Sequence, residues 1–173
     1  MKLSEYFKGQ KVIARSSLSP GEVKARINEE TPLVPWPWTV GISGRVVGRS
    51  VRLNYRAGLI DYNAKPVLAG RLHDDFGATR LEAKFRAPAF AYLFFPFWYF
   101  VLLMMGSVML MSAPSDHSEP EAWIFFPMLC LFAIAPIVMH YLFNRNSADQ
   151  LEEILLFLGN TADFNIIEAP HSI

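Results

Sequence analysis

The chain has 173 residues, of which 52% are hydrophobic, with sixteen basic and sixteen acidic side chains. This length suits one modest domain, or a small domain with membrane segments, and the single cysteine, Cys130, excludes an internal disulfide. The net charge is zero, but the two halves of the chain carry opposite charge. Residues 1–86 hold fifteen of the sixteen Lys and Arg and eight acids, near +7, whereas residues 87–173 are near −7.

The N-terminal region contains one helix signal. MKLSEYFKGQ lacks the apolar stretch of a signal peptide, so we expect later segments to direct membrane insertion. In Ser19-Pro20-Gly21-Glu22, serine is a preferred helix cap, proline fits the first helical position and glutamate completes a capping box. The spacing predicts a helix over 19–30 that ends before Thr31-Pro32.

The next part of the chain alternates between apolar and polar residues, with a period of two. In 50–57, Val51, Leu53 and Tyr55 alternate with polar residues, which is typical of a half-buried strand. Asp74 to Gly77 reads as a hairpin turn. The pattern predicts a small antiparallel sheet with strands at about 38–47, 50–57, 66–73 and 78–86.

Two uncharged apolar segments come next, at 87–115 and 122–144. A membrane-spanning helix needs about 20 apolar residues, so we predict a transmembrane hairpin over 88–144 with spans at about 89–112 and 122–143. The alternative is a pair of buried helices in a soluble protein. It is disfavoured because neither segment has a polar face.

Flanking charges predict the topology of this hairpin. The loop PSDHSEPE is acidic, whereas Lys84, Arg86 and Arg145 flank the spans on their other side. The positive-inside rule therefore places both termini in the cytoplasm of a bacterial cell, with two spans in the inner membrane. Tyr92, Trp123 and Tyr141 are expected to anchor the spans at the interfaces.

The C-terminal region resembles a soluble element again. Ser147 to Gln150 has the capping-box pattern, an apolar stripe follows, and Gly159-Asn160 predicts the helix end. Residues 163–167 predict a final short strand. We therefore expect an α+β fold, in which a cytoplasmic module at 1–87 is completed by a helix and strand within 145–173. The alternative is a C-terminal helix that lies on the membrane or on a partner.

Motifs for catalysis or cofactors are weak. Gly41-Ile42-Ser43-Gly44 lacks the spacing of a nucleophile elbow, and no glycine pattern predicts a phosphate-binding loop. His73-Asp74-Asp75 is better explained as a polar hairpin end than as a metal site, because neighbouring strand residues face opposite ways. His140 is expected at the membrane interface. We predict no cofactor, no metal site and no catalytic residue.

Basic strand residues are the most distinctive polar feature. Their alternation places several on one side of the predicted sheet, where they would bind anionic headgroups or a protein partner. The alternative, equally weighted, is a solvated face. Nucleic acid is disfavoured because stacking aromatics are missing from that side. The candidate binding residues are Arg45, Arg49, Arg52, Arg56, Arg80, Lys84 and Arg86.

These features favour a small, non-catalytic inner-membrane protein whose cytoplasmic module binds a partner protein or anionic lipid headgroups. The Phe-rich run FFPFWYF is a candidate surface for packing against another membrane helix or a second copy. One alternative is a membrane component of a toxin–immunity or phage-defence system. A second alternative is an enzyme acting on membrane substrates. No motif assigns the chain to a family.

Overall fold

A computed structural model of the chain describes residues 3–31, 40–57, 65–112, 121–144 and 146–169. It forms two compact units, one made of residues 1–88 with 144–173 and the other of residues 89–143. The first unit contains α1 (Leu3–Lys8), β1 (Gln10–Ser16), α2 (Pro20–Glu30), β2 (Val40–Val47), β3 (Ser50–Ala57), β4 (Val67–Asp75), β5 (Ala78–Arg86), α5 (Ser147–Ala162) and β6 (Phe164–Glu168). The second contains α3 (Ala89–Ser112) and α4 (Glu121–Asn144).

The α+β class and the antiparallel sheet are confirmed, but the sheet has six strands in the order β2-β3-β4-β5-β1-β6. The four predicted strands form a meander, although residues 38 and 39 of the first lie outside the described residues. The predicted final strand is β6. The sixth strand, which the sequence did not predict, is β1. It pairs antiparallel with β5 on one side and with β6 on the other.

The sequence analysis missed β1 and α1, for physical reasons. In β1 the alternation is broken at Ile13, which is buried although its neighbours on the same face, Lys11 and Arg15, are exposed. Helix α1 has only six residues and is followed by Gly9, whose φ of 79° is left-handed. So short a helix has little propensity of its own and is held by tertiary contacts such as those of buried Tyr6.

One face of the sheet is covered by α2 and α5. From α2, Val23 and Ile27 enter the core. From α5, the buried stripe is Leu151, Ile154, Leu155 and Leu158, and it packs with sheet residues that include Leu53, Leu68, Leu81 and Phe85. The C-terminal helix and strand therefore complete the first unit, because α5 packs on the sheet and β6 extends it.

The capping box of α2 is confirmed. The Ser19 hydroxyl accepts from the Glu22 backbone N–H at 3.4 Å and donates to the Glu22 carboxylate at 2.7 Å. The Ser19 N–H donates to the same carboxylate at 2.9 Å. These bonds, the side-chain bond first, hold the pKa of Glu22 below its ordinary value because they favour the ionised form.

Both predicted ends of α5 are wrong. Its N-cap is Asn146, without a side-chain capping bond, and the Ser147 hydroxyl is buried with no hydrogen-bond partner in the described part of the chain. The helix passes through Gly159 and Asn160 to Ala162, because Asp163 supplies the left-handed cap with φ 52°. The Ser16 hydroxyl donates to the Ala162 carbonyl at 2.6 Å, so β1 satisfies this end of the helix.

The edge strand β2 is protected by a side chain of α2. The Asn28 amide donates to the Val46 carbonyl at 3.0 Å, and its oxygen accepts from the Val46 N–H at 2.8 Å. Unpaired edge groups otherwise invite pairing with another chain. The Asn28 side chain therefore makes the two backbone hydrogen bonds that a neighbouring strand would otherwise make with Val46.

We expect Asn28→Ala to lower the free energy of unfolding by about 1–3 kcal/mol, because it leaves a partly buried donor and acceptor of Val46 without partners. Urea unfolding followed by the far-UV signal of the sheet measures the change. The control is Glu29→Ala, at an exposed position on the same helix. Equal effects of the two substitutions would contradict the role given to Asn28.

The second unit contains one helix segment that is clearly able to cross a membrane by length and composition. Residues Ala89–Val108 of α3 form a predominantly apolar stretch of 20 residues, of which only 6% is buried within the protein. At 1.5 Å per residue they extend about 30 Å, the thickness of a bilayer core. In α4 the apolar segment whose side chains are described is shorter, Pro127–Val138.

Proline chemistry explains how α3 and α4 pair. Pro136 has no N–H, so the carbonyl of residue 132, one turn earlier, loses its helical donor. The Trp98 indole N–H of α3 donates to the Phe132 carbonyl at 3.1 Å, and the Tyr99 hydroxyl donates to the next carbonyl, of Ala133, at 3.3 Å. The Trp98 side chain of α3 thus satisfies the carbonyl that Pro136 frees in α4, and Tyr99 adds a second bond between the two helices.

The aromatic run of α3 aligns this contact. Phe90, Phe94 and Trp98 are four residues apart and therefore lie on one side of the helix. Their rings stack at centroid distances of 5.3 Å and 5.7 Å, and Trp98 lies 6.2 Å from the ring of Phe132. Phe97 and Phe100 are exposed.

We expect Trp98→Phe to lower the stability of the α3–α4 pair by about 0.6–1.7 kcal/mol, the range of interhelical hydrogen bonds in membranes. The same substitution should have little effect in a Pro136→Ala background, because alanine restores the helical donor to Phe132. Unfolding in mixed detergent micelles, followed by circular dichroism, gives the double-mutant cycle. Additive effects would show that the Trp98 hydrogen bond does not depend on Pro136.

Candidate functional site

The face of the sheet opposite α2 and α5 is called the open face here. Strand pairing assigns its members, because directly paired residues share a face and alternate residues along a strand do too. Nine basic side chains lie on it with three acidic ones, Asp75, Glu82 and Glu168. The basic residues are Lys11, Arg15, Arg45, Arg52, Arg56, Arg71, Arg80, Lys84 and Arg86.

The register aligns four of these bases in one row across five strands. Arg45 pairs with Arg52, Arg52 with Ala69, Ala69 with Lys84, and Lys84 with Lys11. With strands about 4.8 Å apart, this basic row (Arg45, Arg52, Ala69, Lys84 and Lys11) extends about 19 Å. All four charged members are exposed.

Like charges meet directly within the basic row. Arg45 lies opposite Arg52, and Lys84 lies opposite Lys11. Directly opposed like charges destabilise a sheet, whereas opposite charges contribute roughly 0.2–1 kcal/mol. A face that serves only solubility has no reason to place them so, because alternating signs would be both soluble and stabilising.

The acids of the open face are committed to bases outside the centre of the row. Asp75 pairs with Arg15 at 3.1 Å, Glu82 with Arg80 at 2.9 Å, and Glu168 with Lys11 at 3.0 Å. Within the described residues, Arg45, Arg52, Lys84 and Arg86 make no ion pair. The positive potential is therefore concentrated over β2, β3 and the end of β5.

Six of the seven candidate binding residues lie on the open face, and Arg49 does not. Arg45 and Arg52 form one end of the row, Lys84 lies near the other, and Arg80 is held by Glu82. The other two are Arg56, partly buried, and Arg86, exposed. Arg49 lies in the turn between β2 and β3, where the chain reverses.

Sequence reasoning missed Lys11, Arg15 and Arg71. The first two lie on β1, which was not predicted, so no signal could place them. Arg71 was detectable, because it alternates with Leu68 and Leu72 in a predicted strand and pairs with Glu82 on the open face.

The predicted interface anchors lie in the second unit. Tyr92 and Tyr141 are exposed, at 41% and 68%. Trp123 is part of α4, but its side chain lies outside the described residues, as do the loop at 113–120 and the side chain of His140. Among the residues that the structure describes, no group of three or more His, Cys, Asp or Glu is placed to hold a metal ion.

No protein-family model, no curated protein and no solved structure matches this chain.

We expect Arg45→Glu to stabilise the first unit by roughly 0.2–1 kcal/mol, because it turns the repulsion from Arg52 into attraction. The gain should shrink in 0.5 M NaCl, where exposed charges are screened. Urea unfolding at low and high salt measures it. Lys24→Glu, at an exposed site on α2, is the control. A salt-independent loss of stability with Arg45→Glu would contradict the paired-charge interpretation.

Proposed function

We propose that this chain is a non-catalytic protein of the bacterial inner membrane, whose first unit binds anionic lipid headgroups through the open face. The observation that carries the proposal is the basic row, in which like charges are placed opposite one another at a cost in stability. A bound anionic surface removes that cost, because its charges neutralise both members of each pair.

The composition of the row favours headgroups over a folded partner. Its charged members are exposed and lie on one face of a sheet, so no pocket is needed for several phosphates to reach them together. Basic residues near an anionic leaflet contribute about 1 kcal/mol each. Arg45, Arg52, Lys84 and Arg86, which make no ion pair within the described residues, would therefore supply several kcal/mol of binding that weakens as salt is added.

The membrane part of the proposal has its own support. The apolar stretch of α3 begins at Ala89, three residues after Arg86, so the chain itself keeps the basic end of β5 near the start of the helix. We propose that α4 is a second span, since its 24 residues extend about 36 Å. The bond between Trp98 and Phe132 supports a helical hairpin because it satisfies a backbone group that lipid cannot.

The topology proposed for the hairpin follows from charge. Lys84 and Arg86 precede α3, and Arg145 follows α4 in the sequence. The positive-inside rule then assigns both termini and the first unit to the cytoplasm, where the leaflet carries the anionic lipids.

Headgroup contact can be tested with the full chain in lipid nanodiscs. In a Cys130→Ala background, a fluorophore is attached at Ala69→Cys, in the middle of the basic row. With 30% phosphatidylglycerol we expect quenching by nitroxide-labelled headgroups, and we expect it to fall in 0.5 M NaCl and in pure phosphatidylcholine. A label at Glu153→Cys, an exposed position on α5, is the control on the covered side.

Charge reversal completes the test. The triple variant Arg45→Glu, Arg52→Glu, Lys84→Glu should abolish headgroup quenching at Ala69→Cys, because the row becomes acidic. Quenching that is equal at Ala69→Cys and Glu153→Cys, or unchanged in the triple variant, rejects headgroup binding. In that case an acidic protein partner becomes the better explanation of the row.

A further inference from the structure

A recess of about 330 Å³ lies where the turn between β2 and β3 meets β4. Its lining shares no residue with the basic row and includes two arginines, a histidine and a serine. The lining residues are Val47, Arg49, Ser50, Arg71, Leu72 and His73.

Backbone geometry fixes the recess. Gly48 has φ 60° while Arg49 is not left-handed, which is the pattern of a two-residue type II′ turn. The Arg49 carbonyl accepts from the Leu72 N–H at 2.8 Å, so the turn is tied to β4. Ser50 pairs directly with Arg71. The recess is therefore built on strands and a tight turn rather than on a free loop.

The two arginines of the recess are available for a ligand. Neither Arg49 nor Arg71 makes an ion pair within the described ranges of the chain. Glu82 lies opposite Arg71 in the register, but its carboxylate is 2.9 Å from Arg80 and 4.0 Å from the His73 Nε2. The acid opposite Arg71 is thus already engaged by a neighbouring base.

We propose that this recess binds a phosphomonoester. The Arg49 and Arg71 guanidinium groups donate charge-assisted hydrogen bonds to the phosphate oxygens, and the Ser50 hydroxyl and the His73 ring N–H supply further donors. Arginine suits this task because its planar fork matches the geometry of a phosphate. The volume is about ten times the ~30 Å³ share of one water molecule, which leaves room for the group that carries the phosphate.

This site is independent of the headgroup proposal. It shares no residue with the basic row, although Ser50 and Arg71 lie two residues from Arg52 and Ala69 along their strands, about 7 Å. The two proposals fail separately because different substitutions test them: Arg49 and Arg71 are changed for the recess, and Arg45, Arg52 and Lys84 for the row.

Equilibrium dialysis of the detergent-solubilised full chain against radiolabelled inorganic phosphate, at constant ionic strength set with chloride, tests the site. We expect saturable binding of one phosphate per chain. The double variant Arg49→Gln, Arg71→Gln should weaken it by roughly tenfold or more, since two charge-assisted donors are lost. The matched control Lys24→Gln, Arg26→Gln also removes two charges, at exposed positions on α2, and should change the affinity by less than about twofold.

A conservative variant covers the case in which the double variant does not fold. Arg71→Lys keeps the charge but removes the planar fork, so it should still weaken phosphate binding while the far-UV spectrum stays unchanged. Full affinity in Arg71→Lys, absence of saturable phosphate binding, or equal losses in the two double variants would overturn the proposal. Equal losses would mean that diffuse charge, rather than the recess, attracts the anion.

The source of the phosphate is separated by two competitors. Glycerol 2-phosphate tests a soluble phosphomonoester, and nanodiscs with phosphatidylinositol 4-phosphate test a lipid one, against phosphatidylserine at equal charge. If one of these ligands displaces inorganic phosphate, and the displacement depends on Arg71, that ligand identifies the source. If neither displaces it, a phosphomonoester site is overturned, even if inorganic phosphate binds.

Discussion

The pairing of β1 with β5 is the interaction on which the first unit depends. It places Lys11 opposite Lys84 and thereby extends the basic row to a fifth strand. The other edge of β1 pairs with β6, and its Ser16 hydroxyl satisfies the end of α5. Since residues 89–143 intervene between β5 and α5, β1 joins two distant parts of the chain into one sheet.

Covering one face of this sheet separates two kinds of side chain. The alternation along each strand sends apolar residues toward α2 and α5, and the intervening residues go to the open face. The core therefore requires only that half of each strand be apolar, and the other half is free to carry charge. In this chain nine of the twelve charged residues on the open face are basic, and the three acids are committed to Arg15, Arg80 and Lys11.

The free-energy cost of opposed charges in the first unit is smaller than the cost of an unpaired backbone carbonyl in the second. On the open face, opposed bases weaken the sheet by small amounts that salt can screen. In the α3–α4 pair, a single carbonyl left without a donor by Pro136 is costly wherever water is excluded, and Trp98 satisfies it. The aromatic stripe that brings Trp98 to this carbonyl thus has a structural role in addition to its apolar surface.

Local patterns in the sequence determined the α2 capping box, the meander of four strands and the apolar stretch of α3, because each depends on residues near one another in the chain. They also placed Arg52, Arg56, Arg80, Lys84 and Arg86 on the sides of their own strands. Only the tertiary structure decided how those strands align. Register set Arg45 against Arg52 and brought Lys11 into the row, and the turn at Arg49 brought it beside Arg71. Pairing partners far apart in sequence leave no local signal, because cross-strand hydrogen bonds and helix packing select them only once the whole sheet has formed.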